Sequence, residues 1–401
     1  MTRPAGFLCR GGCSILLGFV LAGCATPPLQ SARHDFYSGR LDQADRSLSE
    51  IPAPLTDRVL FLMERGTVRH ARHDYQGSIR DWLDAVEAER ELETYSLSRG
   101  TASLIVNDQT LSFRGAPYER TLLRAMLAQN YMALGLWDDV AVEGRNIVQN
   151  MQDLQGFPDD AFSRYVAGFS FEMIGDDSNA ALQYRTAAAQ LNGIGIDEAT
   201  GTLMLVSTNG PPAVPSPSAP RPGPHEAELV CFVSMGQTPC GLGMSAEECR
   251  GCPAPYAEIY AGGRCLGRSY PLANTADLLV ATQKRVAALR AAKTVARIAL
   301  KESIAEAVRK NNKALGDLLW FALFALEQPD VRRWETLPLW LEVARVPCPS
   351  YLKDYEVLFK NADDSVSRRM TVATPLTRKG RAYVSFCRDL PPQEPPPPAP
   401  N

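Results

Sequence analysis

The sequence predicts an α+β protein: an N-terminal α-helical solenoid, then a smaller mixed domain whose antiparallel β-sheet or sandwich is interrupted by a long helix pair. Three observations carry this reading. Residues 31–205 place apolar side chains at helical spacing and repeat themselves. Residues 226–390 contain short runs of alternating apolar and polar residues between turn-forming stretches. Between the two, Gly210 to Pro224 is so rich in proline that it favours extended geometry and cannot build a core, so 206–225 reads as a linker.

The repeats are visible at the corners between paired helices, at Gly39, His73, Gly135 and Gly175. The first two corners are 34 residues apart, and the later spacings of 62 and 40 imply insertions. Five residues after each corner stand Ala44, Ser78, Val140 and Ala180, and four further on Leu48, Trp82, Gly144 and Tyr184. Gly66, Ala128 and Gly168 precede the last three corners by seven residues, where a small side chain lets two helices approach. A period of 34 with this pattern resembles tetratricopeptide repeats, best in 60–88 and 161–189, although Gly144 stands where a bulky residue is expected. The insertion 92–120 reads as a short hairpin or an ordered loop across the solenoid.

In the second half, strands are expected at 227–234, 257–260, 264–270, 339–346, 354–360, 367–373 and 381–387. The helical insertion 276–327 comprises an Ala-rich helix over 276–311 and a more apolar one over 315–327, the latter too short to span a bilayer. The Pro-rich end, 391–401, reads as a disordered tail.

The N-terminus carries Arg3 and Arg10 around an otherwise uncharged start and an apolar stretch from Ser14 to Ala22, the pattern of a signal peptide over 1–23. Leu21-Ala22-Gly23-Cys24 resembles the bacterial lipobox, which implies cleavage before Cys24, acylation of its thiol and a short tether over 24–30. Each buried CH₂ of an acyl chain contributes ~0.8 kcal/mol, and two chains anchor stably. Ala25, rather than Asp, implies the outer membrane, with the protein facing the periplasm. The charge is nearly balanced, 42 Lys plus Arg against 45 Asp plus Glu, so no global field recommends nucleic acid as partner.

Chemistry is sparse in this chain. No Gly-x-Ser-x-Gly elbow or phosphate-binding loop is complete, the nearest being Gly168 to Glu172 and Gly193 to Asp197. His70 and His73 sit beside Asp74 at helical spacing, an arrangement open to a metal, but with Arg69 and Arg72 they read more simply as a solvated basic helix end. Beyond Cys9 and Cys13 of the signal peptide and the acylated Cys24, the cysteines all follow residue 230. Cys240, Cys249, Cys252 and Cys265 form a cluster that could bind zinc or exchange disulfides. In an oxidising compartment, structural disulfides are the plainer expectation, with no cofactor and no resident metal. Cys348 and Cys387 would form a further bridge, leaving Cys231 as a buried odd thiol.

Two motifs remain, Glu228-Leu-Val-Cys-Phe-Val-Ser-Met-Gly-Gln-Thr-Pro239 and Arg333-Trp-Glu-Thr-Leu-Pro338 with Ala344-Arg345-Val346 after it. Together with Gly115 to Glu119 and Val142-Glu143, they resemble an uncharacterised family of bacterial lipoproteins that join a tetratricopeptide region to a helix-interrupted β domain. The resemblance implies envelope work, through association with activators of penicillin-binding proteins and hence with peptidoglycan synthesis. A Trp between charges, as at Arg333-Trp334-Glu335, reads first as a packed corner and second as a partner contact. The resulting expectation is a non-catalytic adaptor, not an enzyme, that holds another cell-envelope protein in the solenoid groove. The alternative is a periplasmic metal-binding or redox protein using the cluster 240–265.

Overall fold

The computed structural model describes residues 27–50, 52–99, 112–206, 227–238, 244–250, 252–310, 313, 315, 332–373 and 376–392. The signal peptide, Cys24, most of the Pro-rich linker, Cys240, all but the first residue of the expected helix over 315–327 and the last residues of the Pro-rich end lie outside them. The protein is α+β, with helices in the N-terminal half and sheets in the C-terminal half.

The helices stack as hairpins: α1 (Pro27–Tyr37) with α2 (Leu41–Ser49), α3 (Arg58–Ala71) with α4 (Tyr75–Arg99), α5 (Pro117–Ala133) with α6 (Trp137–Asp153), and α7 (Ala161–Glu172) with α8 (Asp177–Ala188). Helix α1 begins at Pro27 and buries Leu29, inside the stretch 24–30 expected to be a tether. All four expected corners adopt the left-handed conformation that ends a helix, with φ of 78° at Gly39, 63° at His73, 70° at Gly135 and 79° at Gly175. Within two of the hairpins a small residue receives a large one. A Cβ on Gly66 would sit 2.2 Å from Trp82 Nε1, and one on Gly168 would sit 2.8 Å from Tyr184 Cε1. Gly144 departs from the repeat for the same reason, because a Cβ there would meet the Ser170 Cβ at 2.9 Å where α6 crosses α7. Of the insertion, 92–99 continues α4, and 101–111 lies outside the described residues.

A small hairpin of β1 (Ile194–Ile196) and β2 (Leu203–Leu205), which the sequence pattern did not reveal, closes the helical half. Then follow β3 (Ala227–Met235), the short helix α9 (Ala246–Arg250), β4 (Tyr256–Ala261), β5 (Arg264–Arg268), β6 (Tyr270–Asn274), the long helix α10 (Thr275–Arg309), β7 (Trp340–Cys348), β8 (Asp354–Lys360), β9 (Val366–Ala373), β10 (Thr377–Lys379) and β11 (Ala382–Arg388). Helix α10 starts where Asn274 Oδ1 accepts the N–H groups of Ala276 and Asp277. One sheet has the order β10-β11-β3-β7-β6 and the other β5-β4-β8-β9. The first is mixed rather than purely antiparallel, because β11 runs parallel to β3.

Strand β3 explains the layering. Its alternate residues Val230 and Phe232 join Phe162, Phe169 and Trp82 of the helices in one core. The residues between them, Leu229, Cys231 and Val233, join Tyr355, Val357 and Phe359 of the second sheet in another. Both faces are buried, so the strand lacks the polar alternation of a half-exposed one and requires a strand on either edge. The result is three layers, helices on sheet on sheet, and the first core is shared between the two halves of the chain.

Gly66→Ala is expected to destabilise the protein by about 1–3 kcal/mol, the range for overpacking a filled interior. Urea unfolding of variant and wild type checks it, and an unchanged midpoint would mean that α3 and α4 can separate freely.

Candidate functional site

The concave side of the solenoid is filled by the chain itself. Residues 332–338, which precede β7, run through it as an irregular segment that turns at Glu335 and Thr336, held by buried polar groups of α1, α3 and α5. Glu64 on α3 accepts from Arg33 Nε at 2.8 Å and Nη2 at 2.6 Å, and from the backbone N–H groups of Glu335 at 2.9 Å and Thr336 at 3.1 Å. Glu119 on α5 accepts the Trp334 N–H at 2.8 Å with one oxygen and the Ala116 N–H at 2.7 Å with the other. Burial pushes the Glu119 carboxyl up to about 7 against these two bonds. The indole of Trp334 is fully buried and donates to Thr67 Oγ1 at 2.9 Å, edge-on to Trp82 with ring centroids 6.0 Å apart. Tyr37 donates to the Glu335 carbonyl at 2.5 Å. Arg333-Trp-Glu-Thr-Leu-Pro338 is thus a packed intramolecular anchor.

A second contact between the halves centres on Arg345 of β7. Its guanidinium makes bidentate bonds to Glu172 of α7, at 2.6 and 2.9 Å, and to Glu228 of β3, at 2.8 and 3.0 Å. Tyr184 donates to the same Glu172 at 2.6 Å. A buried charge so fully satisfied fixes the geometry of the strand against the helices.

Between this anchor, helices α1 to α5, the end of β11 and the edge strand β9 lies a cavity of about 630 Å³. Its apolar wall includes Phe36, Trp82, Met126, Phe232, Trp334 and Phe386. Leu390, Pro391 and Pro392 border it, and the Pro391 carbonyl packs so closely on Gly39 that a Cβ there would lie 2.6 Å away. Two arginines belong to the lining, and one of them is incompletely satisfied. Arg388 donates through Nη2 to the Thr336 carbonyl at 2.9 Å and lies over the Phe36 ring at 5.2 Å, with no ion pair among the described residues; burial pushes it below its usual value. Arg368 contacts Asp389 through Nε at 3.3 Å, while its Nη1 is buried without a hydrogen-bond partner. An unsatisfied guanidinium donor in a partly apolar cavity suits an anionic group on an apolar carrier.

His70 also lines this cavity, against the expectation of a solvated basic end. Its Nδ1 is 2.6 Å from Asn130 Oδ1, its ring stacks on Trp82 at 5.9 Å, and burial pushes it down to about 4, so it is neutral. The helix end is half-covered because the sheet packs against His70, Phe386 lying 5.7 Å from the imidazole, while His73 and Asp74 stay exposed. His73 takes the corner conformation with its ring against Tyr75, and Asp74 accepts the Gly77 N–H. Arg69 and Arg72 pair with Asp42, Asp45 and Asp81. Among the described residues no group of three or more His, Cys, Asp or Glu is placed to hold a metal.

The cysteines are dispersed. Cys249 is buried in α9, Cys252 is half-buried just beyond it, and Cys265 is exposed on β5. The pairing of Cys348 with Cys387 does not fit the sheet. Cys348 lies opposite Ala227 on one side of β3, whereas Cys387 lies opposite Val233 on the other, so six residues of β3, roughly 20 Å, separate their levels. The thiol beside Cys387 is Cys231, the residue expected to be left over, with Sγ atoms 3.3 Å apart. Spacing along the chain carries no signal for this pair, because it depends on which strands are neighbours.

One further buried carboxyl is strongly perturbed. Glu342 on β7 is pushed up to about 8 by burial, with Ser269 donating to one oxygen and the other unpartnered. It does not line the cavity.

No protein-family model and no curated protein matches the chain. Among solved structures, the chain is similar to the Rap conjugation gene regulator of the plasmid pLS20, solved in complex with the Phr* peptide. The identity is 15% and the TM-score 0.28, over 40% of this chain and 41% of that one. The match therefore spans less than half of the regulator.

Glu64→Ala leaves two N–H groups without their acceptor and Arg33 with only Glu335 and the Arg333 carbonyl, and is expected to cost about 3 kcal/mol, the lower end for a broken buried pair. Chemical denaturation measures it; a loss below about 1 kcal/mol would show that the segment is held by packing alone. Glu342 binds its proton more tightly folded than unfolded, so its contribution is present below about pH 4.5 and lost as the pH rises towards 8. Glu342→Gln should therefore flatten the fall in stability between pH 5 and pH 8, and an unchanged slope would remove Glu342 as its source.

Proposed function

We propose that the protein is a lipid-anchored, non-catalytic binding protein of the bacterial envelope, and that its recognition site is the cavity between helices and sheets rather than an open solenoid groove. The observation that carries this is the buried, unpartnered Arg368 Nη1, with the Arg388 guanidinium in the same cavity, whose wall includes several aromatic rings. The occupant that fits is a segment of another envelope protein presenting a carboxylate beside an aliphatic or aromatic side chain. The carboxylate would receive the guanidinium donors, while the side chain would cover Phe36, Trp82 and Phe386. A volume of about 630 Å³ lies within the range of compact ligand sites and takes a few residues, not a whole helix.

The anchor is assigned to Cys24 on the lipobox pattern. The outer membrane as its location, membership of the uncharacterised lipoprotein family and a role in regulating peptidoglycan synthesis rest on sequence resemblance. Among the described residues no helix is long and apolar enough to cross a membrane.

The test is chemical cross-linking and capture from solubilised envelopes with the full lipoprotein, Arg388→Gln and Cys24→Ser. The expected result is a partner retained by wild type and reduced about tenfold or more by Arg388→Gln at unchanged melting temperature, the loss of one or two charge-assisted bonds. Cys24→Ser should abolish acylation, seen as loss of incorporated labelled fatty acid, and leave the signal peptide uncut. Equal capture by wild type and Arg388→Gln would remove the cavity as the recognition site.

A further inference from the structure

A second arrangement sits at the edge of the same cavity and stands independently of what the cavity binds. Strands β3 and β11 are parallel neighbours, with Cys231 opposite Ser385 and Cys387 opposite Val233. Side chains alternate along a strand, so Cys231, Ser385 and Cys387 all point to the inter-sheet core. There the two sulfurs approach to 3.3 Å, both residues being buried. The Tyr355 hydroxyl of the facing sheet lies 3.5 Å from Cys387 Sγ and 3.8 Å from Cys231 Sγ, and donates to Ser385 Oγ. The two residues differ in one respect: Cys387 belongs to the lining of the cavity and Cys231 does not.

We infer that Cys231 and Cys387 are a dithiol that closes to a disulfide between β3 and β11, with Cys387 as the thiol reached first, through the cavity. The oxidant is a small-molecule disulfide, RS–SR. Cys387, as thiolate, attacks one of its sulfurs, forming Cys387–S–S–R and releasing RS⁻. Cys231, having lost its proton, then attacks the Cys387 sulfur, forms the internal bond and releases the second RS⁻. Two electrons pass from the two cysteines to RS–SR, and their two protons end on the two RSH molecules.

The electrostatics favour this order. The hydrogen bond from Cys231, with support from Tyr355 and Ser385, holds Cys387 below the usual thiol value, while the same contact and burial push Cys231 well above it. The thiolate is the attacking species, so Cys387 is the better first nucleophile and Cys231 the better resolving thiol. The bridge would also join the first and last strands of the β domain, closing a long loop.

The full-length reduced protein is treated with oxidised glutathione, quenched by alkylation, and mapped by mass spectrometry without reduction. The expected result is a Cys231–Cys387 linked peptide and a melting temperature higher than that of the reduced protein. Cys231→Ser should accumulate one glutathione on Cys387, because the resolving thiol is missing, whereas Cys387→Ser should leave Cys231 unmodified. Recovery of both residues as alkylated thiols from wild-type protein, under conditions that modify the exposed Cys265, would overturn the proposal. So would glutathione on Cys231 in Cys387→Ser, or Cys387 linked to any other cysteine. The wild-type map does not depend on any variant folding.

Discussion

Two buried glutamates, Glu64 on α3 and Glu119 on α5, hold the main chain of residues 334–336 by accepting its N–H groups, and the placement of the β domain follows from that contact. A segment without helix or strand partners must satisfy its backbone elsewhere when buried. Here the solenoid supplies the acceptors, with Arg33 compensating Glu64 and the Ala116 N–H sharing Glu119. The raised Glu119 shows that this arrangement is maintained against desolvation. Trp334 then inserts between α3 and α5, and its indole bond to Thr67 fixes the register of the segment.

With that segment seated, β7 enters the sheet where Arg345 can meet both Glu172 and Glu228. The strand thus carries a charged tie to the helices on one face and apolar residues to the second sheet on the other. Strand β3 lies beside it and is buried on both faces, so each half of the chain completes the core of the other. The arginine and the glutamates stabilise this joint mainly by being mutually satisfied, since any one of them alone would be a buried uncompensated charge.

Because the chain's own segment and sheet fill the concave side of the solenoid, the space that remains is a bounded cavity rather than a long groove. Its walls combine aromatic rings from both halves with the guanidinium groups of β9 and β11 and a neutral imidazole at His70. Such a site discriminates by the pairing of charge with apolar shape, and it exists only while the two halves are docked. The thiols of Cys231 and Cys387 lie in the same β11 neighbourhood, so the state of that strand and the shape of the cavity are physically linked.

Much of the local structure was legible from the residues. The corners at Gly39, His73, Gly135 and Gly175, the small residues Gly66 and Gly168 where two helices approach, and most strand positions follow from periodicity and residue size, because those signals act within one or two turns or along one strand. The α+β class followed from the same signals. What the sequence did not reveal were contacts between elements distant in the chain: β11 lying parallel to β3, His70 buried beneath Phe386, Arg333 to Pro338 occupying the solenoid, and Cys387 beside Cys231 rather than Cys348. Helical and strand patterns state which face is apolar but not which other face will cover it. That choice was made by tertiary packing, where burial on both faces of β3 and the satisfaction of Glu64, Glu119 and Arg345 allow only one arrangement of the two halves.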